Sequence, residues 1–313
     1  MGFKNMNRRI FTKTTLIGGA AISAGLPLWL QAGQDNQPLC ILHTNDTHSR
    51  IDPYPENDPN FPGMGGYARR AALINQIRNE SNHVLLLDAG DIFQGTPYYN
   101  MYGGEPELKL MSKMGYDATT IGNHEFDNGL DGLLDVMHHA KFPFVSSNYD
   151  FSNTPLHGKI KPFHIINKAG LKIGIYGLGI ELEGLVSRNL YGNTIYIDPV
   201  YVARKTETLL KEEHQCQLII CLSHLGYEYD SNKVSDVIIA EKTRYTDIIL
   251  GGHTHTLLDP PDKKENSLGK IVTIGQTGYA GVRLGRMDVH INKNSGETLV
   301  EFNTTKISKN QYG

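Results

Sequence analysis

Eight short apolar runs, at residues 39–43, 84–87, 118–121, 142–146, 172–178, 218–222, 247–250 and 271–274, alternate with amphipathic stretches. Nothing else in the sequence restricts the fold as much. Each run has the length of a buried strand, and most contain β-branched residues. Residues 66–78 repeat apolar side chains at Ala68, Ala72, Leu73 and Ile77, and 130–139 and 200–212 follow the same helical spacing. Strand, helix, strand order predicts a largely parallel central sheet. Residues 283–292 and 297–305 read instead as two strands joined by Lys293-Asn294-Ser295-Gly296, a hairpin signal that adds antiparallel pairs. Residues 52–62, rich in proline and acid, read as one long loop.

The first 32 residues stand apart. They hold Lys4, Arg8, Arg9 and Lys13 and no acid, then the apolar run 15–30, then Gln31-Ala32-Gly33. This is the order of a secretory leader, and Asn7-Arg8-Arg9-Ile10-Phe11-Thr12-Lys13 resembles the twin-arginine export motif. Export to the periplasm is the expectation. The run is short, weakly apolar and broken by Pro27, which argues against a stable membrane span. Residues 33–313 are then one catalytic domain.

Four of the 30 basic residues and none of the 33 acidic ones lie in 1–32, so the rest of the chain carries −7. That charge excludes a broad nucleic-acid footprint. With 39% hydrophobic and 20% charged residues, the chain can bury a full core. Three cysteines make no disulfide scaffold. Cys216 and Cys221 flank a strand-like run and stand roughly 16 Å apart, beyond the ~7 Å limit for a bridge. Together with Cys40 they read as buried thiols.

In βα units, ligands gather at the carboxyl ends of strands. Five such ends here carry metal-ligand residue types: Asn45-Asp46-Thr47-His48, Asp88-Ala89-Gly90-Asp91, Gly122-Asn123-His124-Glu125, Ser223-His224 and Gly251-Gly252-His253-Thr254-His255. Any one alone reads as a turn or a satisfied histidine. Five in one chain, all at strand ends, are hard to produce by chance. Mixed His, Asp and Asn donors suit Zn²⁺, Mn²⁺, Fe or Co²⁺ better than an all-oxygen calcium site. His124 and Asp127, three residues apart, fall on one helix face, where a carboxylate fixes the tautomer of a proton-shuttling imidazole.

The ordered set D-x-H, G-D, G-N-H-E, H and G-G-H-x-H resembles the calcineurin-like metallophosphoesterases. The finer text resembles their 5′-nucleotidase branch: TNDTH at 44–48, DAGDIFQGTP at 88–97, GNHEFDNG at 122–129, SHLG at 223–226, GGHTH at 251–255 and QTGYAG at 276–281. The resemblance implies a four-layer α/β/β/α sandwich of two mixed sheets flanked by helices. It implies two divalent metal ions, one held by Asp46, His48, Asp91 and His255, the other by Asp91, Asn123, His224 and His253, with Asp91 bridging. It makes His124 a contact to the transferring phosphate or a proton donor to the leaving oxygen, with Asp127 orienting its ring. Asp88 is expected to support its loop.

Two departures stand out. His255 occupies a position where many dedicated 5′-nucleotidases carry Asn or Gln. Complete members of that branch also continue into a second domain that supplies an aromatic clamp for the base. The expectation is therefore a catalytic half without the specificity half, acting alone or with a separate substrate-binding subunit. Its substrate would be a small phosphoester, first a nucleoside 5′-monophosphate. A 2′,3′-cyclic phosphodiesterase, a nucleotide-sugar pyrophosphatase or a sulfur-ester hydrolase are the alternatives, and a non-catalytic metal-bound subunit is the alternative of another class. The one aromatic cluster near a ligand loop is Tyr98, Tyr99 and Tyr102, read as packing of that loop on the next helix.

Overall fold

In the computed structural model the described residues are 38–291 and 298–309; the leader at 1–32 and the hairpin tip at 293–296 lie outside them. Two sheets carry the structure. The first runs in the order β13-β12-β1-β2-β3, from β1 (Leu39–Thr44), β2 (Val84–Asp88), β3 (Ala118–Thr119), β12 (Arg283–Ile291) and β13 (Thr298–Lys306). The second runs β10-β11-β9-β8-β6-β5, from β5 (Phe163–Lys168), β6 (Leu171–Gly179), β8 (Leu218–His224), β9 (Ile248–Leu250), β10 (Asp262–Glu265) and β11 (Ile271–Gly275). A two-stranded ribbon pairs β4 (Tyr149–Asp150) with β7 (Ile195–Tyr196). The centre of each sheet is parallel, as the alternation predicts: β1, β2 and β3 in one, β6, β8, β9 and β11 in the other. Antiparallel strands close the edges, including the pair β12 and β13 expected at the C-terminus.

Period-two alternation divides the core into three apolar layers. Leu39 and Ile41 of β1 point inward with Leu85 and Leu87 of β2, against Ile173, Ile175, Leu218, Ile220 and Leu222 of the second sheet. The intervening Cys40, Leu42 and Leu86 point outward onto the helices Tyr67–Glu80 and Glu105–Met114 through Leu73, Ile74, Leu108 and Met111. On the other side, Tyr176, Ile219 and Cys221 meet Ala203, Val237 and Ile239 from the helices Pro199–Thr208 and Asp236–Lys242. The result is the four-layer α/β/β/α sandwich. All three cysteines are buried free thiols.

Two strand expectations are corrected. Residues 118–121 hold only the two-residue β3, and 142–146 make isolated bridges instead of a strand. Pro143 offers no N–H, and the segment passes between sheets. Val145 N donates to Thr119 O of β3 at 2.8 Å, while Ser147 N donates to Gly177 O of β6 at 2.8 Å. Gly177 permits this crossing, because a Cβ there would sit 2.2 Å from Val145 O. The helical stretch expected at 200–212 is α-helical over Pro199–Thr208, where Asp198 caps Tyr201 N, and ends in a π-helical turn, Leu209–Glu213. The helices Pro97–Tyr102, Glu105–Met114 and Asp236–Lys242, and the strands β5 and β10, were not legible in the sequence pattern.

Candidate metal centre

Thr44, Asp88 and Thr119, the last residues of β1, β2 and β3, lie in register, so the loops that follow leave one edge of the sheet together. The ends of β8 and β9 leave the second sheet at the same edge of the sandwich and bring His224, His253 and His255 to the first sheet's loops. His253 N donates to both oxygens of Asp46, at 3.0 and 3.1 Å. Gly252 makes the approach possible: a Cβ there would meet His224 Nδ1 at 2.9 Å and Asp46 Oδ2 at 3.0 Å. Among the described residues, ten non-glycines have positive φ; seven of them, Asp46, His48, Ser49, Asp91, Gln94, His253 and His255, lie in these loops, and Ala280 lies in the loop after β11. Such backbone conformations concentrate where the surroundings fix a functional geometry.

Three groups of side chains could each hold a metal ion. They are Asp46, His48 and His255; His48, Asp91 and His124; and Asp91, His224 and His253, with the donor atoms of each group within 4.8 Å of one another. Asn123 Oδ1 adjoins the third group, 2.9 Å from His253 Nδ1. All seven residues expected as ligands therefore converge. His124 comes within reach of a cation as well, although the sequence placed it outside the ligand set.

The donor chemistry fits a cation. His224 Nδ1 donates to Ala89 O at 2.7 Å, which turns Nε2 toward Asp91 Oδ2 at 3.0 Å and Asp46 Oδ1 at 3.8 Å. This Nε2 is buried. Burial works against a charge on this ring, yet Asp91 and Asp46 hold its pKa up at about 10. An imidazole nitrogen facing two carboxylates demands a positive charge between them, which a metal ion supplies as well as a proton does. His48 is similar: Nδ1 lies 3.3 Å from Phe93 O, and Nε2 points at His255 Nε2, 3.0 Å away. Asp46 Oδ1 is 3.5 Å from that same His255 nitrogen.

His124 and Asp127 do not lie on an α-helix. They bracket the 3₁₀ turn His124–Phe126, whose tighter winding places residues three apart in contact. His124 Nδ1 sits 2.8 Å from Asp127 Oδ2. Burial disfavours the imidazolium, but the Asp127 hydrogen bond and the nearby Asp91 raise its pKa to about 8.

Sequence reasoning quoted Glu125 within its motif and gave it no role. The structure does: its buried carboxylate accepts from Asp91 N at 3.0 Å, Ile92 N at 2.8 Å and Gly122 N at 2.6 Å. One side chain thereby ties the Asp91 loop to the Asn123 loop. Asp88 supports its loop as expected, accepting from Thr44 Oγ1, Gly90 N and Thr119 Oγ1. Tyr99 packs on Phe93, in line with the packing expectation, while Tyr98 donates to Asp52 and Tyr102 is exposed. A second aromatic cluster at the site went unnoticed. Tyr279 lies flat on the His255 ring with centroids 4.7 Å apart, and Phe61 and Tyr54 continue from it.

The family profile described as calcineurin-like phosphoesterase matches residues 40–257, which include every strand end described above. The chain belongs to this family. Among its relatives, the phosphoesterase chain is 34% identical over 283 residues to the trifunctional nucleotide phosphoesterase protein YfkN of Bacillus subtilis, covering 80% of this chain and 18% of that protein. It is 37% identical over 256 residues to the 5'-nucleotidase of Rattus norvegicus, covering 78% of this chain and 42% of that one. The phosphoesterase fold is shared with the 5'-nucleotidase precursor from Thermus thermophilus, at a TM-score of 0.79 and 32% identity, over 87% of this chain and 55% of that one. The chain thus spans about half or less of the length of these relatives.

Proposed function

We propose that residues 33–313 form a catalytic domain that hydrolyses phosphomonoesters, with nucleoside 5′-monophosphates as the first substrate class. The observation that carries this reading is the convergence of two Asp-His groups, Asp46-His48-His255 and Asp91-His224-His253, beside the His124–Asp127 pair. Asp46, His48, Asp91 and His255 would hold one divalent ion, and Asp91, Asn123, His224 and His253 the other, with Zn, Mn, Fe or Co the best match to these donors. Bound there, such ions supply Lewis acidity, which makes hydroxide available near neutral pH and offsets phosphoryl charge.

The side chains do the rest. Asp127 holds the Nδ1 proton of His124, which leaves Nε2 to deliver a proton to the departing oxygen. Glu125 keeps the Asp91 and Asn123 loops at fixed spacing. The nucleotide substrate is supported by the names of the similar proteins, a nucleotide phosphoesterase and two 5'-nucleotidases. Cyclic nucleotides and nucleotide sugars are further arms of the test.

The deciding experiment incubates the purified chain with Mn²⁺, Zn²⁺ or Co²⁺ and a panel of phosphoesters. Metal-dependent release of phosphate is expected, with two ions per chain. Metal binding without turnover of any ester would assign the chain to a non-catalytic role.

A further inference from the structure

A cavity of about 270 Å³ opens beside the His48, His124 and His255 imidazoles, and its remaining walls are Arg50, Tyr54, Gln94, Gly95, Tyr279 and Ala280. Among the described residues, no carboxylate lines it. A phosphoryl group held beside those imidazoles would have this space within reach of its esterified alcohol. The aromatic wall is built, not incidental. Tyr279 is fixed against His255 because the next residue, Ala280, donates its N–H to Asp46 O at 2.6 Å. The Tyr279 edge meets Phe61 at 5.5 Å between centroids, and Phe61 packs on Tyr54 at 5.3 Å. The Arg50 guanidinium lies 4.2 Å from the Tyr54 ring centre, which holds its flat face in place at the rim.

These walls match one kind of occupant. Tyrosine rings and a stacked guanidinium offer flat, weakly hydrated faces, and a planar ring gains more from them than a flexible chain does. The volume lies near the lower end for ligand pockets and suits one ring system. We propose that Arg50, Tyr54 and Tyr279 form a leaving-group subsite, within this domain, for ring-bearing alcohols of the aryl or nucleoside type. The proposal rests on the phosphoester reading above.

The test uses the metal-loaded full chain and two phosphonates that cannot turn over, phenylphosphonate and methylphosphonate, with dissociation constants read by calorimetry. KM values for phenyl phosphate and glycerol phosphate are measured alongside. The parent should favour the ring compound by roughly 5- to 50-fold, the usual scale of stacking on aromatic side chains. Tyr54→Ala and Arg50→Ala should bring the phenyl-to-methyl ratio near one, while Tyr54→Phe keeps it. A parent ratio of one, or an unchanged ratio in both alanine variants, overturns the subsite. Thermal melts show whether each variant folds, and Arg50→Ala decides alone if Tyr54→Ala does not. If the parent hydrolyses no ester of the wider panel, the phosphoester reading fails, and the binding ratio still decides the subsite.

Discussion

His48 Nε2 and His255 Nε2 face each other at 3.0 Å, and each also faces Asp46 Oδ1, at 3.9 and 3.5 Å. Two imidazole nitrogens aimed at one carboxylate oxygen could hold a metal ion. The two candidate ion sites should separate by mutation. Asp91→Asn should lower occupancy of both ions, and Asp46→Asn or His253→Ala mainly of one, all with loss of most of kcat. His124→Ala should keep its metals and lose kcat by roughly 10²–10⁴, the range for an acid–base group. Metal analysis beside kinetics checks this, and a metal-free His124→Ala protein would make His124 a ligand instead.

Glu125 gives a second expectation. Glu125→Gln puts an amide N–H among the donors Asp91 N, Ile92 N and Gly122 N, leaving buried donors unmatched. The cost should be about 1–3 kcal/mol of stability. Metal affinity should fall roughly 10–100-fold, as for other groups that orient a ligand. Denaturation and metal titration of the variant measure the two effects.

Asp88 predicts a pH dependence of stability. Its burial raises the carboxyl from the usual 3.8 to about 6, against the opposing hydrogen bonds from Thr44, Gly90 and Thr119. The folded chain therefore holds this proton more tightly than the unfolded one. The favourable contribution is complete below about pH 4 and is lost as pH rises through 6, a change of up to about 3 kcal/mol. Asp88→Asn keeps an acceptor for Gly90 N and removes the titration. Relative to the parent, it should gain stability between pH 4 and pH 7. A parallel pair of stability curves would refute this.

Ile220 sits wholly buried between the sheets and Ile271 is 54% exposed at an edge. Ile220→Ala should cost about 2–5 kcal/mol, transfer and cavity together. Ile271→Ala should stay within about 0.5 kcal/mol of the parent. Chemical denaturation of both variants tests whether the interface between sheets is the dominant core.

Arg8→Lys with Arg9→Lys should retain precursor in the cytoplasm if residues 1–32 use the twin-arginine route. Fractionation of cells expressing the double variant reads this directly, and unimpaired export would remove the assignment.

The candidate ligand residues were legible as a group because they lie at or just beyond the carboxyl ends of five strands, so the order along the chain reports a position in space. Parallel strands in register then bring Asp46, Asp91 and Asn123 to one edge without further information. The cavity wall was not legible for the opposite reason. Arg50 and Tyr54 lie in a loop far along the chain from Tyr279, and the segments meet through tertiary bonds that no local pattern reports, among them Ala280 N to Asp46 O and the Asn45 side chain to Thr277 and Gly278. The nearer cluster Tyr98, Tyr99 and Tyr102 drew attention by adjacency alone. In the same way, the run 142–146 has a strand's composition, and only its crossing between sheets reveals why it pairs so briefly.

That crossing gives the centre a mechanical meaning. Asp46, Asp91 and Asn123 belong to the first sheet's loops, while His224, His253 and His255 belong to the second's. An ion held between Asp91 and His224 would act as a rivet through two stacked plates. Any slip of one plate over the other would pull those ligands apart, so ion binding would add to the apolar layer in holding the plates together. The melting temperature of the whole sandwich should then rise with the logarithm of free metal concentration, and occupancy could be followed by heat alone, with no substrate present.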